Sequence, residues 1–384
     1  MQAKAIVVGS SAVGGLCAKA LAQKGVDTLV LEEHSKPGKF HKCSGIMSKA
    51  GMESLGVSIK ECTLNEVRGA RVFAGGTELR IESNSTKGVV IDRQAFDEKC
   101  AAEAQEAGAK LVLNARVEKI GKVSGNGPAN ASPTSIAFSI STPSGSHSSQ
   151  ILVGCDGASS TVARELGLPA IEPRDFVLAW EGEFSGCSVA EPRLVHIYLD
   201  PAVCRGFFGW LIPVNEERCR IGFASSDFPS VRSAKSAFLN LPQVREALEP
   251  SGNASCECVR EFNYVIPLRP RNRTQIGNAL LCGDAAGQVK ATTGGGVVFG
   301  GKCAQVAADE IAGFVHEGKP IEYEQKWRAK YGGVLAAHNF IRSAYNFAEG
   351  FDNGAVLKAS LAVGNAVGLP GFLSAKGDMD FIVS

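Results

Sequence analysis

A chain of 384 residues, 45% of them hydrophobic, is long enough for about two domains with real cores, and this composition excludes a disordered protein. The formal net charge of +1, with no long basic run, gives no footprint for nucleic acid. No stretch reaches the ~18 apolar residues of a spanning helix, and the N-terminus enters Ala5-Ile6-Val7-Val8 directly, so a cytoplasmic protein without a leader is expected. Twelve cysteines are scattered with no CxxC pair and no zinc spacing. Reduced, mostly buried thiols and no metal site are therefore expected.

In chain order, residues 5–8 read as a strand, 13–24 as a helix and 28–31 as a second strand. The uncharged run Leu29-Val30-Leu31 suits a parallel strand buried on both faces. Residues 36–45 form a loop rich in Pro, Gly, Lys and Cys. Residues 67–73 and 79–81 alternate as antiparallel strands do. Asp92 is placed as an N-cap before a helix over 93–107. A strand returns at 111–113, and 124–135, rich in Gly, Asn, Pro and Ser, reads as a mobile hairpin loop. Residues 151–153 lead into Gly154-Cys155-Asp156-Gly157 and a short helix ending near 166. From 176 to 265 short alternating segments predict a β-rich second domain. A strand at 280–281, a Gly-Asp corner and a glycine cluster then open a long helix over 295–315. The last ~65 residues look helical.

Three of these junctions carry chemistry. Gly9-Ser10-Ser11-Ala12-Val13-Gly14-Gly15 follows a strand and opens a helix, the place where pyrophosphate meets a helix N-terminus. Gly9, Ser11, Ala12, Val13 and Gly14 are its candidate contacts, with Ser11 standing where the Gly-x-Gly-x-x-Gly pattern has its second glycine. Glu32 ends the second strand, where an acid binds an unphosphorylated ribose of FAD or NAD; Glu33 is the fallback if the register slips. Arg93 can reach a phosphate or a flavin edge. Asp156-Gly157 is a second turn after a strand. Gly283-Asp284 is the third, with Asp284 placed to bind sugar or ribitol hydroxyls, and Gly295, Gly296 and Val297 offer backbone N–H groups at a helix start.

The order of these motifs resembles the FAD-dependent monooxygenase superfamily of p-hydroxybenzoate hydroxylase architecture. Within it the chain most resembles the geranylgeranyl reductase family, including archaeal digeranylgeranylglycerophospholipid reductases. Three segments carry the narrower resemblance. Lys290-Ala291-Thr292-Thr293-Gly294-Gly295-Gly296 is similar to their Lys-Pro-x-x-Gly-Gly-Gly loop, with Ala291 for proline. Pro37-Gly38-Lys39 through Lys42-Cys43-Ser44-Gly45 is similar to their Cys-bearing loop. Phe208-Gly209-Trp210-Leu211-Ile212-Pro213 is similar to their Tyr-x-Trp-x-Phe-Pro lipid-pocket motif, with Phe208 for Tyr and Ile212 for Phe.

The resemblance implies an α/β Rossmann-like FAD-binding domain, discontinuous over 1–175 and 266–320, an interleaved antiparallel substrate domain over 176–265, and a helical C-terminal region over 321–384. It implies FAD as cofactor, with Cys43 and Gly45 beside the flavin, and NAD(P)H or a ferredoxin as electron donor. It implies reduction of isoprenoid C=C bonds, with Phe208, Trp210, Ile212 and Pro213 against the lipid and Cys43 or solvent as proton source. Lys39, His41 and Lys42 would favour a thiolate at Cys43 if they converge on it. Residues 355–373 either pack at a domain interface or touch a membrane surface. Two other readings stay open on this fold: a flavin monooxygenase or halogenase, whose Trp-x-Trp-x-Ile-Pro segment lies near Phe208–Pro213, and a non-catalytic flavin- or lipid-binding protein.

Overall fold

The computed structural model describes residues 1–40, 42–124, 136–252, 255–350 and 355–366. The hairpin tip expected at 124–135 lies, but for Ser124, outside them, as do His41 and residues 367–373 of the C-terminal segment. The chain forms two compact units, each built from three segments. The first comprises Met1–His41, Arg93–Glu172 and Pro267–Ala336; the second comprises Lys42–Asp92, Pro173–Ile266 and Ala337–Ser384.

The first unit is Rossmann-like. Its sheet runs in the order Gln275–Ile276, Ala279–Leu281, Gly145–Gly154, Gln2–Val8, Thr28–Leu31, Lys110–Val112. The four pairings from Ala279–Leu281 to Lys110–Val112 are parallel. Parallel strands here are covered on both faces, which is why Ile6, Val7, Leu29, Val30, Leu152 and Val153 are all buried and their segments read as unbroken apolar runs. Lys119–Ser124 and Ile136–Thr142 add an antiparallel extension to Gly145–Gly154. The helices Ala12–Gln23, Arg93–Glu106 and Val297–Glu317 belong to this unit. Their ends lie within two residues of the expected bounds, inside ordinary end-fraying.

The second unit is built on a seven-stranded sheet in the order Glu257–Pro267, Phe176–Ser185, Arg218–Ser225, Gly209–Pro213, Leu194–Tyr198, Gly69–Ala74, Thr77–Glu82. Its one parallel step among the described registers joins Leu194–Tyr198 to Gly69–Ala74. One face carries Trp180, Phe184, Leu211, Ile221 and Phe223. It is closed by Val231, Phe238 and Val244 from the helices Val231–Leu239 and Pro242–Ala247, giving an apolar core. The short sheet Ile46–Ser48, Gly88–Ile91, Thr63–Val67 completes this unit. Helix Ala355–Ala366 packs Leu357 and Leu361 on Ala74 and Leu79, so this part of the C-terminal segment packs within its own unit.

All twelve cysteines are free, nine of them buried. Cys187 and Cys256 approach to 2.9 Å between sulfurs. Among the described residues no cluster of His, Cys, Asp or Glu suits a metal, and no helix is long and apolar enough to cross a membrane.

Candidate functional site

In the first unit the sequence motifs converge on the start of helix Ala12–Gln23. Gly9 adopts φ +93°, and a Cβ there would lie 2.6 Å from the Cys155 carbonyl oxygen. A Cβ on Gly14 would lie 1.9 Å from the Gly9 carbonyl oxygen, and one on Gly15 2.7 Å from Cys100 Cβ. The first glycine makes the turn, and the later ones let the helix approach the strand end and its neighbour helix. Ser11 is the N-cap at φ −68°, ψ −178°, a conformation open to any residue, and its side chain makes no capping bond. A serine is therefore compatible with this turn.

Glu32 is buried at the end of its strand. Its Oε2 accepts bonds from the Ser10 N–H (2.9 Å) and Ser10 Oγ (2.8 Å). Its Oε1 accepts from the His34 N–H (3.0 Å) and lies 2.8 Å from His34 Nδ1. Four bonds saturate a carboxylate when Nδ1 carries its proton. Ribose binding here therefore requires the Ser10 hydroxyl or the His34 ring to turn aside. Glu33, half-exposed, lies 3.6 Å from Arg116 and 3.7 Å from His34 Nε2, so Glu32 is the acid beside the glycine turn.

Arg93 is anchored through Nε to Asp97 Oδ1 at 3.0 Å, and the same oxygen accepts the Ala12 N–H at 2.8 Å. Asp97 is 1% exposed. Burial pushes its carboxyl above the usual range, and the Arg93 guanidinium pulls it back. Asp97 ties Arg93 to the first N–H of the glycine-turn helix. The sequence signal was its i+4 spacing from Arg93, which by itself reads as an ordinary helix pair. Asp97→Asn should weaken FAD binding to apoprotein about 10-fold, as for a lost charge-assisted bond; an unchanged affinity in a flavin-fluorescence titration would refute this.

The third junction closes on the same helix. Cβ atoms on Gly283 and Gly300 would lie 3.1 and 2.7 Å from Val13 Cγ2, so Val13 wedges between two glycine surfaces. A Cβ on Gly296 would meet Asp284 Oδ1 at 2.7 Å, and one on Gly295 would meet Lys290 Cε at 2.9 Å. The loop before the helix is tied by Gly294 N–H to Lys290 O (2.8 Å) and Lys290 N–H to Gly295 O (3.1 Å). Gly296 caps Val297–Glu317 without a side-chain bond. Burial raises the Asp284 carboxyl, and the Arg93 charge opposes it. A raised carboxyl beside Gly296, with a guanidinium acting on it, suits a hydroxyl- and phosphate-bearing ligand. Asp156 differs: its oxygens accept Ser160 Oγ (2.6 Å) and the Val162 N–H (3.0 Å), so it shapes its own helix start, and nothing lies within 4 Å of a Cβ built on Gly157.

The remaining predicted residues form a second group, in the second unit. Glu181, Gly222 and Trp210 are cross-strand neighbours in one row, and Glu183, Arg220 and Ile212 form the next. Each row lies on one face of the sheet. A Cβ on Gly222 would be 2.7 Å from Trp210 Cζ2, so the indole lies over that glycine. Its Nε1 donates to Glu181 Oε2 at 2.9 Å. Phe208 meets Trp210 edge-on at 6.0 Å and stacks on Phe207 at 4.4 Å. Ile212 and Pro213 are buried.

Arg220 Nη1 donates to the carbonyls of Ser44 (2.8 Å) and Ile91 (3.1 Å), and its Nε lies 3.3 Å from Glu183 Oε2. Gly45, at φ +74°, leaves room for that guanidinium, since a Cβ would come within 2.3 Å of it. The Gly45 N–H donates to Cys43 Sγ at 3.4 Å. The Cys43–Gly45 loop and the Trp210 segment, 165 residues apart, thus meet through Arg220. Glu181 and Arg220 were not singled out from sequence, because their partners are set by strand register.

Comparison with known proteins bears on both groups. The FAD binding domain family model matches residues 2–302. Digeranylgeranylglycerophospholipid reductase 2 of Methanothermobacter thermautotrophicus is 26% identical over 352 residues, 87% of this chain and 86% of that protein. The digeranylgeranylglycerophospholipid reductase of Methanothrix thermoacetophila is 25% identical over 349 residues, 88% and 86% of the two chains. Among solved structures, a geranylgeranyl bacteriochlorophyll reductase-like protein from Thermoplasma acidophilum superposes with a TM-score of 0.76 at 19% identity, covering 99% of this chain and 94% of that one. A flavin-dependent brominase superposes with a TM-score of 0.72 at 16% identity, covering 97% and 100%. At these identities the structures establish shared fold. With its glycine turn and Gly283–Asp284 junction built on that fold, the chain belongs to the FAD binding domain family, and its cofactor is FAD.

Proposed function

We propose that the protein is an FAD-dependent reductase that saturates C=C bonds of isoprenoid chains, with geranylgeranyl chains of archaeal-type ether lipid precursors as substrate. The observation that carries this reading is the sheet face that carries Trp210 and Ile212, to which Arg220 ties the Cys43–Gly45 loop through the Ser44 carbonyl. Trp210 and Ile212 offer it aromatic and aliphatic surface, as an isoprenoid needs, beside the charged Glu181, Glu183 and Arg220 of the same rows, and similarity to relatives named for this reaction supports the reading.

Bound and reduced, FAD supplies the hydride that an unpolarised alkene requires and no side chain can give. The residues of this chain hold and orient it. The N–H groups of Val13 and Gly14 take the pyrophosphate, because the Ala12 N–H is engaged by Asp97. Glu32 would bind the adenosine ribose once Ser10 or His34 turns aside, Arg93 the flavin or its phosphates, and Asp284 the ribitol. With FAD bound, the N–H groups of Gly296 and Val297, and that of Gly295 once released from Thr293 Oγ1 (3.4 Å), would serve the flavin carbonyl side and stabilise negative charge there. Phe208, Trp210 and Ile212 exclude water from the alkene. NAD(P)H or a ferredoxin-type protein supplies the electrons. Peripheral contact with a lipid surface belongs to this reading, and the exposed Phe340 and Phe347 support it.

The test is anaerobic incubation of the reduced protein with digeranylgeranylglycerophospholipid. Product mass should rise in steps of two hydrogens; reduced flavoprotein that leaves the lipid mass unchanged would sink the reading. A second reading, a flavin monooxygenase or halogenase, is favoured by Phe208–Pro213, which is close to a Trp-x-Trp-x-Ile-Pro segment. Under that reading NAD(P)H-driven oxygen uptake is coupled to an aromatic substrate; under the first it is not.

A further inference from the structure

We propose that Cys187 and Cys256 are a site of reversible thiol oxidation, which a peroxide closes to a disulfide. The site lies wholly within the second unit and is independent of the substrate. The two sulfurs stand 2.9 Å apart, although the residues are 69 positions apart in sequence. Two backbone ties hold their segments together: Cys187 forms an antiparallel bridge with Pro250, and the Ser251 N–H donates to the Gly186 carbonyl at 3.0 Å. A third thiol, Cys219 of the strand Arg218–Ser225, is hydrogen-bonded to Cys187. Cys187 and Cys219 belong to the apolar core, and the partly buried Cys256 packs against it.

Contact and access distinguish this pair from the other thiols. The sulfurs already touch, whereas cysteines held apart need backbone movement before they can be bridged. Cys256 is half-buried, so an aqueous oxidant reaches it. Cys17, Cys155 and Cys282 also gather in the first unit, but all three are buried. The Cys187 thiol lies below its ordinary value, at about 7: the Cys219 bond is the largest influence and lowers it, burial opposes, and the Cys256 bond lowers it further. Burial, with the Cys187 bond, pushes Cys256 up to about 12. The pair therefore joins a sulfur that ionises readily to one that solvent reaches, the combination on which thiol reactivity depends.

Ionised Cys187 takes the Cys256 proton as the Cys256 sulfur attacks one oxygen of hydrogen peroxide. The O–O bond breaks, leaving a sulfenic acid on Cys256 and releasing hydroxide, which takes up the proton that Cys187 had lost. The Cys187 sulfur then attacks the Cys256 sulfur; the S–S bond forms, the S–O bond breaks, and the oxygen leaves as water with the Cys187 proton. Two thiols lose two electrons and two protons, and the peroxide takes them to become two waters. A dithiol reverses the step by exchange. The bond ties the segment after Phe176–Ser185 to the residue before Glu257–Pro267, the edge strand of the seven-stranded sheet. Oxidation thus staples that edge strand to its neighbour.

FAD-loaded protein with its thiols reduced is exposed to hydrogen peroxide, alkylated and mapped by peptide mass. A cross-linked peptide joining Cys187 to Cys256 should appear with the loss of two hydrogens, and dithiothreitol should remove it. The melting temperature should rise by about 5 °C, as for closing a long loop. Cys256→Ser should lose both effects, and Cys258→Ser, at the exposed neighbour, should keep them. The wild-type map stands without any variant. Folded protein in which Cys187 and Cys256 stay reduced, or oxidise only after urea has unfolded it, overturns the proposal. So does a Cys256–Cys258 link, a sulfinic acid on Cys256 without a cross-link, or a cross-link that leaves the melting temperature unchanged. None of these readouts uses the lipid, so failure here leaves the reductase reading where it was.

Discussion

Gly14→Ala yields a protein purified without yellow colour. The added methyl would sit 1.9 Å from the Gly9 carbonyl oxygen, and this neighbour cannot step aside, because Gly9 is itself backed by the Cys155 carbonyl at 2.6 Å from its own Cβ position. Both contacts are backbone, so relief requires moving the helix start off the strand end. Overpacking of this kind costs about 1–3 kcal/mol or more, and it displaces the N–H groups assigned to pyrophosphate. FAD affinity should drop more than ~100-fold, equivalent to about 3 kcal/mol. Gly333→Ala is the control: nothing lies within 4 Å of its Cβ position, and flavin content should match wild type. Absorbance at the flavin maximum against protein concentration decides the matter; a Gly14→Ala protein with full flavin would remove the turn from the cofactor site.

Asp284→Ala should loosen FAD by about 10- to 150-fold, the range for losing hydrogen bonds to a charged group. The carboxylate is set at the Gly-Asp corner with Oδ1 against Gly296, and Arg93 acts on it from the same unit. Apoprotein titrated with FAD gives the affinity directly. Asp284→Asn should retain part of it, since the amide still bonds a hydroxyl. FAD retained fully by the alanine variant would contradict the ribitol role. Gly296→Ala is expected to resemble Asp284→Ala, because its methyl would push on Oδ1 at 2.7 Å.

Much of the first unit is legible in sequence because local signals and burial agree there. Thr28–Leu31 is a strand with the expected bounds, and its four residues are all buried. Gly9 and Gly14 are needed where the pattern puts them, for reasons of conformation and contact that the letters encode. Ser11 shows the limit: whether a Cβ is tolerated depends on φ and on what lies opposite, and neither is written in the pattern. Glu32 could be placed beside a ribose site by its distance from the turn, but not the four bonds from Ser10 and His34 that engage it. Asp97 reads in sequence only as an i+4 partner of Arg93, and its bond to Ala12, 85 residues away, is not written there. Glu181 and Arg220 were the hardest to see. Each looks like a solvent-facing charge in an alternating strand, and only register across three strands turns it inward. The grouping of residues 42–92 with the β-rich unit likewise depends on pairings such as Leu194–Tyr198 with Gly69–Ala74, which span more than a hundred residues.

The pairing order of the first strand has a consequence for how the protein is made. Gln2–Val8 finds Thr28–Leu31 early, but its other edge pairs with residues 148–154, and those in turn with Ala279–Leu281. At about 5–20 residues per second, a ribosome needs roughly 15–60 s to reach that last strand. Through that interval the nascent sheet carries an unpaired apolar edge, the condition that recruits chaperones and invites misassociation. Asp284 emerges after it, so the glycine turn at the N-terminus waits for most of the chain before its full cofactor site can exist. Flavin capture is then a late event in biogenesis, and FAD supplied during cell-free synthesis should raise the yield of native protein only once the segment carrying Asp284 has been made.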